Sequence, residues 1–354
     1  MKHLGSKWLL LPLTGLYSLL TDIRNWLFDK HLLEMFRPSV YTVSIGNLTV
    51  GGTGKTPMVE FLIKWYLLTA SGRGGETATL SRGYGRRTTG FRIATDVDTA
   101  MTLGDEPLQL YRKFNPSVRV CVGERRVDAI EALLRQHPET SRILLDDAFQ
   151  HRAVRPHLNI LLMDYNRPFY DDYPFPAGRL RERRKGARRA DGIVVTKCPL
   201  NLWATEQERI SARIGQYARP DTPIFFAGLH YDQPVSFATR QAVTNLHEVV
   251  LVSGLANADP LEQYVHQAFQ LQHHYRFADH YAYTRLDLDG ILAAMPPGTA
   301  LLTTEKDWVK LDALVTADER AKFPLFYLPI AVQFLPGQAS RFNAFLDNNT
   351  LKNR

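Results

Sequence analysis

The sequence predicts an α/β protein, with a mostly parallel sheet flanked by helices and a second, smaller α/β domain. Short apolar runs recur along the chain and alternate with segments of amphipathic, helical spacing. One of these runs leads directly into a glycine-rich loop and then into a helix. The alternation continues through the second half of the 354 residues, a length that suits two domains.

The glycine-rich loop is the most informative stretch. β-Branched and aromatic residues over 40–45 predict a buried strand, and apolar residues over 58–65 predict a helix. Such a loop binds phosphate through its N–H groups and the helix dipole, while its Lys reaches the β- and γ-phosphates and its Thr binds Mg²⁺. Thr49 occupies the usual first glycine position, and an ordinary glycine turn is the alternative. We predict a P-loop NTPase-like domain whose nucleotide site is formed by Gly51, Gly52, Thr53, Gly54, Lys55 and Thr56.

Two pairs of carboxylates follow the loop. Asp105 and Glu106 lie between a glycine and a proline, where we expect a helix to begin. They suit a base and a metal ligand, or simply acidic residues favoured by the helix dipole. Asp146 and Asp147 end a buried strand predicted at 143–145, which is how P-loop enzymes bring an aspartate to Mg²⁺. Because two carboxylates are costly to bury unpaired, this position favours a metal or a cationic partner.

Two loops concentrate positive charge. In residues 81–87 two glycines flank Tyr84, so this stretch is either a flexible clamp for an anionic substrate or a solvated turn. Its arginines are Arg82, Arg86 and Arg87. Residues 179–189 contain seven Lys or Arg and one Glu, an excess that favours contact with phosphate or anionic lipid. The formal net charge of +7 suits a nucleotide, a nucleic acid, a phosphorylated lipid or an acidic membrane as partner.

The N-terminus is apolar but interrupted. Residues 8–21 carry no charge, yet this run contains Pro12 and Gly15 and is shorter than the roughly 20 residues of a spanning helix. No small-residue cleavage site of a signal peptide follows it. We predict that residues 1–37 form an amphipathic helix, or two, in a membrane interface; packing on the protein's own core is the alternative. The interfacial anchors would be Trp8, Tyr17 and Trp26.

The rest of the chain divides into three segments. We predict the P-loop domain at 38–222, a hairpin linker at 223–245 and the smaller C-terminal α/β domain at 246–354. Within the C-terminal domain a single strand is predicted at 325–330, and another strand ends at the group Asp279, His280 and Tyr281. A lone histidine of this kind is more often structural than catalytic.

Seven motifs stand out when the chain is followed from position 44 to position 307. They are, in order, SIGNLTVGGTGKTP, LSRGYGRR, GDEP, LLDDAFQHR, VVTKCP, FADHY and LTTEKD. In this order and spacing they resemble the tetraacyldisaccharide 4′-kinase family of the lipid A pathway. Gly-Lys-Thr alone is unspecific, whereas the ensemble is highly specific, and with the apolar N-terminus the resemblance covers nearly the whole chain.

The resemblance implies ATP-dependent phosphorylation of the 4′-hydroxyl of a tetraacylated diglucosamine 1-phosphate, with Mg²⁺ as the metal. It also implies two α/β domains joined by a hairpin, in a monotopic enzyme at the cytoplasmic face of a Gram-negative inner membrane. The expected partners are therefore ATP, this acylated disaccharide lipid and the lipid surface. Neither a nucleic acid nor a protein partner is expected.

The resemblance also implies roles for individual residues. Lys55 would be catalytic and bind phosphate, Asp105 would be the base on the sugar hydroxyl, and His280 would orient that base. Mg²⁺ and its surroundings would be served by Thr56, Glu106, Asp146 and Asp147. The basic loops would contact the substrate through Arg82, Tyr84, Arg179 and Arg181. One loop departs from the family, because Arg183 replaces the proline of the usual GRLREP.

Two other classes of protein stay open on the residues alone. A P-loop GTPase or ATPase switch would hydrolyse nucleotide without a lipid, and Thr196-Lys197 after a strand weakly resembles a base-recognition loop. A basic nucleic-acid-binding protein would bind in a salt-dependent way that survives loss of Lys55. The aromatic residues of a stacking platform are missing from the 179–189 run.

Overall fold

The computed structural model describes residues 4–69 and 76–352, with side chains described from residue 10 to residue 351 within these ranges. The polar break expected at 71–75 and the side chain of Trp8, an expected membrane anchor, lie outside the described residues.

Helices and strands alternate along most of the chain. The helices are α1 (Leu4–Asp29), α2 (Lys55–Thr69), α3 (Ala100–Leu103), α4 (Asp105–Phe114), α5 (Arg126–Gln136), α6 (Ala204–Gly215), α7 (Asp259–Ala268), α8 (Arg285–Ala294), α9 (Glu305–Leu311), α10 (Ala317–Lys322) and α11 (Gln338–Lys352). The strands are β1 (Tyr41–Asn47), β2 (Glu76–Ser81), β3 (Arg92–Ile93), β4 (Val118–Val122), β5 (Thr140–Asp146), β6 (Leu158–Asp164), β7 (Gly192–Thr196), β8 (Ile224–Tyr231), β9 (Val235–Ser236), β10 (Glu248–Gly254), β11 (Gln270–Phe277), β12 (Ala300–Thr304), β13 (Leu325–Leu328) and β14 (Ile330–Phe334).

The strands of the described chain form two sheets, and we call each sheet with its helices a lobe. The large sheet has nine strands in the order β14-β8-β7-β6-β1-β5-β2-β4-β3. Its neighbours are parallel except at the two edges, where β14 pairs with β8 and β3 with β4 in antiparallel fashion. The small sheet has the order β11-β10-β12-β13-β9 and is parallel except for β13 with β9. The predicted α/β class with mostly parallel sheets is confirmed.

The middle strands of the large sheet are apolar on both faces. In β6, Ile160 and Leu162 belong to the core cluster that contains Met58 and Leu62 of α2, whereas Leu161 belongs to a separate cluster on the opposite face. A strand covered on both faces reads as a continuous apolar run, and parallel sheets are made of such strands. This burial explains why the apolar runs of the sequence predicted most of the sheet.

The chain crosses between the lobes twice. One crossing lies between β8 and β9, and the other is Pro329, between β13 and β14. The single strand predicted at 325–330 is therefore divided: 325–328 pairs in the small sheet and 330–334 in the large one. The predicted linker, 223–245, likewise contains β8, a strand of the large sheet.

The C-terminal end of the chain returns to the large lobe. Strand β14 extends the large sheet, and α11 packs beside it, so the predicted C-terminal domain at 246–354 does not coincide with the small lobe. Phe342 of α11 is fully buried against Phe61, Phe225 and Phe334. Local spacing predicts a helix here, but it gives no sign of which sheet the helix covers.

Helix α1 presents polar side chains to the protein and apolar side chains to its surroundings. Thr14, Ser18 and Asn25 are buried. The opposite face is 46% to 60% exposed at Leu13, Leu16, Leu19, Leu20, Ile23 and Trp26. None of the helices among the described residues has the length and apolar character needed to cross a membrane.

We expect Phe342→Ala to lower the free energy of unfolding by about 3–5 kcal/mol, because it opens a cavity among packed aromatic rings. Urea denaturation followed by tryptophan fluorescence would measure the change. Leu286→Ala is the matched control, since Leu286 of α8 is 82% exposed and its truncation should change stability by about 0.5 kcal/mol or less. Equal, small effects of both changes would contradict the placement of α11 in the large-lobe core.

Candidate active site

The carboxyl ends of the parallel strands bring the predicted site residues to one edge of the large sheet. Strand β1 pairs with β5 so that Ile45 lies opposite Asp146. On its other side β1 pairs with β6, and β6 pairs with β7 so that Asp164 lies opposite Thr196. The glycine-rich loop after β1, the aspartates at the end of β5 and the residues at the end of β7 therefore meet at this edge.

The glycine-rich loop has the geometry of a phosphate-binding loop. Gly51 and Gly54 have φ values of 118° and 76°, in the left-handed region that favours glycine. Lys55 is the first residue of α2, so the loop ends at the positive end of a helix dipole. Asn47 Nδ2 donates a hydrogen bond of 2.8 Å to the Thr53 hydroxyl, which ties the loop to β1.

The two aspartates at the end of β5 lie in different surroundings. Asp146 is 3% exposed, and burial raises its pKa, as does the charge of nearby Glu106. Asp147 is paired with basic side chains. Both of its carboxylate oxygens accept hydrogen bonds from Arg181, at 2.9 and 3.0 Å. Lys55 Nζ lies 3.7 Å from the same carboxylate. Lys55 of the glycine-rich loop and Arg181 of the basic loop thus share one aspartate.

Asp146 fits a metal ligand better than Asp147 does. Its Oδ1 is buried and has no hydrogen-bond partner among the described residues, which leaves it free for a cation. Within the same residues, no group of three or more His, Cys, Asp or Glu side chains is arranged to hold a metal ion. Mg²⁺ commonly takes one or two carboxylates and completes its shell with phosphates and water. The donor set at this edge fits that pattern rather than a closed cage of protein ligands.

Asp105 and His280 meet between the lobes. Asp105 begins α4 of the large lobe, His280 follows β11 of the small lobe, and Nδ1 of the imidazole lies 3.0 Å from the carboxylate. Lys310 Nζ lies 3.4 Å from the same carboxylate oxygen. Burial would raise the pKa of Asp105, but the hydrogen bond from His280 and the positive charges of Lys310 and Lys306 hold it below its usual range. The carboxyl group is therefore ionised at neutral pH.

Lys306 and Lys310, which were not among the predicted site residues, lie beside this pair of side chains. Lys306 Nζ lies 3.2 Å from His280 Nε2 and 2.7 Å from Asp279 Oδ1. An ammonium group can only donate, so Nε2 accepts this hydrogen bond and the ring proton of the neutral imidazole is on Nδ1, facing Asp105. Lys306 belongs to the motif LTTEKD, one of the seven that stand out in the sequence. Its contact with His280 could not be predicted from that motif, because packing within the small lobe brings the two side chains together.

The loop at 81–87 contributes both an exposed ring and a buried cation. Tyr84 is exposed, and its ring centroid lies 5.7 Å from that of His280. Arg82 is exposed as well. Arg86, expected to belong to a flexible clamp, instead pairs with Glu124 and has a side chain only 2% exposed. That arginine fixes the loop and is not available to a substrate.

Most of the basic run at 179–189 is paired with other groups of the protein, some of them at the surface. Arg183 and Lys185 pair with Asp22 of α1 at 3.1 and 3.0 Å, and Arg189 pairs with the buried Glu182 at 2.6 Å. Arg179 is exposed. The excess of positive charge therefore holds α1 and the loop in place, and Arg179 remains open to solvent.

Two residues depart from the expected motifs, and their backbone conformations explain why these substitutions are tolerated. Thr49, at the usual first glycine position, forms an antiparallel bridge with Leu180, an extended conformation that does not require glycine. Arg183, which replaces a proline, has φ −65° and ψ 153°. A proline ring would fix nearly the same φ. The backbone at this position is therefore one that either residue can adopt.

Comparison with known proteins identifies the family. A model of the family described as tetraacyldisaccharide-1-P 4′-kinase matches residues 6–350. The tetraacyldisaccharide 4′-kinase of Cytophaga hutchinsonii is 38% identical over 345 residues, covering 95% of this chain and 94% of that protein. The enzyme of the same name from Flavobacterium johnsoniae is 39% identical over 337 residues, covering 93% of each.

A solved structure agrees with these matches. The "apo" form of LpxK from Aquifex aeolicus, crystallised in complex with ATP, is 26% identical to this chain and superposes with a TM-score of 0.74. The match covers 97% of this chain and 99% of that one. The fold, the site and the sequence matches together show that the chain belongs to the tetraacyldisaccharide-1-P 4′-kinase family.

Proposed function

We propose that this chain transfers the γ-phosphate of ATP to the 4′-hydroxyl of a tetraacyldisaccharide 1-phosphate in lipid A biosynthesis. Family membership gives the reaction, and the Aquifex aeolicus relative binds ATP. The observation that carries the proposal is the contact between Asp105 and His280. It brings a carboxylate of the P-loop lobe and an imidazole of the small lobe together between the lobes, where an acceptor hydroxyl needs a base.

The P-loop supplies the nucleotide site in this proposal. Lys55 and the N–H groups of residues 51–56 hold the β- and γ-phosphates and stabilise the charge that develops during transfer. Because Lys55 Nζ lies 3.7 Å from Asp147, a bound phosphate shares this lysine with a carboxylate that Arg181 already neutralises. Little covalent chemistry is required of the protein, since positioning and charge stabilisation dominate such reactions.

Mg²⁺ is the metal we propose for the reaction. Asp146 and the Thr56 hydroxyl would hold it, and Glu106 and Asp147 would lie in its surroundings. The buried, unpartnered Oδ1 of Asp146 supports this assignment. When bound, Mg²⁺ neutralises negative charge on the phosphates of the nucleotide.

Asp105 is the proposed acceptor of the hydroxyl proton. A general base must be ionised and held in one orientation, and the lowered pKa and the hydrogen bond from His280 meet both needs. Lys306 fixes which ring nitrogen of His280 carries the proton. Lys306 therefore acts through His280 and is a positioning residue.

The substrate's anionic group would be bound by the cations that the fold leaves exposed. Arg82 and Arg179 are proposed to contact the 1-phosphate, with Tyr84 packing beside the sugar close to His280. Arg181 would contribute when an anionic group competes with Asp147 for its guanidinium.

We also propose that α1 lies on a lipid surface, at the cytoplasmic face of the inner membrane, where ATP and the lipid acceptor meet. Its exposed face is apolar over more than three turns, from Leu13 to Trp26. Its inner side is held by polar contacts: the Tyr17 hydroxyl donates to the Arg181 carbonyl at 2.8 Å, and Asn25 donates to Glu182 at 2.9 Å. A helix that buries its polar side and exposes its apolar side gains free energy in a membrane interface.

The direct test is transfer of label from γ-labelled ATP to the disaccharide 1-phosphate in detergent micelles. We expect labelled lipid from the wild-type protein, and a roughly 10²-fold or greater loss of kcat/KM in Lys55→Ala, since an electrostatic stabiliser of the transferred group is removed. Lys64→Ala is the matched control, because Lys64 is an exposed lysine of the same helix and should be neutral. Phosphate release without labelled lipid would indicate a nucleotide switch, and a wild-type rate in Lys55→Ala would contradict the P-loop assignment.

We expect Asp105→Asn to lower kcat by roughly 10²-fold or more, the size of a lost general base, and His280→Ala to do similar damage. The double variant should be little worse than either single one, because residues that act as a unit are non-additive. Equilibrium binding of ATP should barely change in any of the three. Steady-state kinetics with saturating lipid, together with nucleotide titration, would measure both quantities.

His266→Ala provides the control for this series, since His266 is an exposed histidine of α7 in the same lobe. Its kcat should equal that of the wild type. Fully additive losses at Asp105 and His280 would show that the two residues work separately. A large loss of ATP affinity in Asp105→Asn would make that residue a metal ligand rather than a base.

We expect the triple change Leu16→Ser, Leu20→Ser and Ile23→Ser to release the protein from vesicles of phosphatidylethanolamine and phosphatidylglycerol. All three side chains are exposed, so the variant should fold, while the lost apolar area should weaken partitioning by roughly tenfold or more. Co-sedimentation at low and high salt would separate apolar from electrostatic binding. Activity on micelle-dispersed acceptor should fall less than activity on bilayer-held acceptor.

Trp203→Ser and Leu286→Ser are the controls, because these apolar side chains are 78% and 82% exposed outside α1. Both should bind vesicles as the wild type does. Undiminished sedimentation of the triple variant at high salt would refute the role of the α1 face.

A further inference from the structure

Three side chains outside the glycine motif reach the backbone carbonyls of residues 51–53. Asn47 Nδ2 lies 3.4 Å from the carbonyl oxygen of Gly51. Lys197 Nζ donates a hydrogen bond to the carbonyl oxygen of Gly52, and Thr196 Oγ1 donates one to that of Thr53 at 2.8 Å. We call Asn47, Thr196 and Lys197 the P-loop donors. Three consecutive carbonyls of the loop are thus held from the side of β1 and β7.

The two donors at the end of β7 are themselves firmly placed. Thr196 is 1% exposed, and its hydroxyl also lies 3.2 Å from the carbonyl oxygen of Met163 in β6. Lys197 has φ 58°, a conformation that residues with a Cβ rarely adopt. Its Nζ also bonds Asp164 at 2.8 Å, so the end of β6 holds the lysine against the loop. Positive φ in a residue with a side chain persists where surrounding contacts over-determine it.

We infer that the P-loop donors are positioning residues that hold the loop in its phosphate-binding form before a nucleotide arrives. Within a peptide plane the C=O and the following N–H point in opposite directions. Fixing the carbonyls of residues 51–53 toward β1 and β7 therefore leaves the next N–H groups facing the opposite side, where an anion binds. A carbonyl turned the other way would place negative charge beside phosphate oxygens.

This inference rests on the proposed nucleotide site and extends it to residues that the glycine motif does not contain. In sequence, Thr196-Lys197 weakly resembles a base-recognition loop. The hydrogen bonds of both side chains end on the P-loop instead, and Thr196 is buried. The two residues thus act on the nucleotide through the loop that binds its phosphates.

Thr196→Val is the decisive variant, since it keeps the shape of the side chain and removes the hydroxyl. We expect the Kd for ATP, measured with a fluorescent ATP analogue and no lipid present, to rise about tenfold. The KM for the lipid acceptor should not change. Thr196→Ser, which restores the hydroxyl, should restore ATP binding. Because binding is measured without acceptor, a failure of the proposed reaction would not affect the result.

Thr42→Val is the matched control, because Thr42 is fully buried at the opposite end of β1 and its hydroxyl also donates to a carbonyl, that of Val40, at 2.9 Å. It should lower Tm by as much as Thr196→Val and leave ATP binding unchanged. If Thr196→Val matched the control in both properties, the inference would be overturned.

Lys197→Met provides a second, partly exposed site in case Thr196→Val fails to fold. We expect it to weaken ATP binding about as much, with Lys197→Arg retaining most of the affinity and Lys64→Met behaving as the wild type. Wild-type ATP affinity in Lys197→Met would count against the inference.

Discussion

The parallel pairing of β1 with β5 and β6 is the constraint on which the rest of the site depends. Because the strands run the same way, every loop that carries chemistry leaves the large sheet at one edge. The register puts Ile45 opposite Asp146, so the strand that begins the P-loop and the strand that ends in aspartates finish side by side. The glycine loop supplies N–H groups and Lys55, and β5 supplies carboxylates. A shift of this register would separate the phosphate-binding groups from the proposed metal ligand.

A second constraint fixes the small lobe, because the proposed base, made of Asp105 and His280, requires the two lobes to meet in one arrangement. Lys113 of α4 binds Glu60 of α2 and Glu305 of α9, at 2.6 Å in each case. Burial and the charge of Glu60 raise the pKa of Glu305, while Lys113 opposes the rise. Breaking a buried pair of this kind leaves an uncompensated charge, which is strongly unfavourable. Helices α4 and α9 also carry Asp105 and Lys306, so the same contact that joins the lobes aligns the base with its supporting residues.

The sequence was a good guide where a feature is local and a poor one where it depends on a partner far along the chain. Gly51, Gly54 and Lys55 were predicted to form a P-loop because the strand, the loop and the helix follow one another directly in the sequence. The division at Pro329 was missed, since both halves of the run are apolar and only the missing N–H of proline marks the crossing. Arg86 was predicted to lie in an exposed loop, either a substrate clamp or a solvated turn, but it pairs with Glu124, 38 residues away, and its side chain is buried. Lys306 gained a role only from the imidazole that packs beside it.

The inner side of α1 connects this helix, which is proposed to lie on a lipid surface, to the P-loop. Glu182 is 1% exposed and accepts hydrogen bonds from Asn25 of α1 at 2.9 Å and from Gln150 at 3.0 Å. Gln150 also donates to the carbonyl of Asn47, the last residue of β1 before the P-loop, at 2.8 Å. Arg181, which precedes Glu182 in the chain, donates a hydrogen bond to Asp147. A buried carboxylate with several donors tolerates little displacement, because each lost hydrogen bond leaves a charged oxygen unsatisfied. The polar residues of α1 therefore fix the position of this helix relative to the P-loop, so on the proposed lipid surface an acceptor held by its acyl chains would lie at a set distance from ATP.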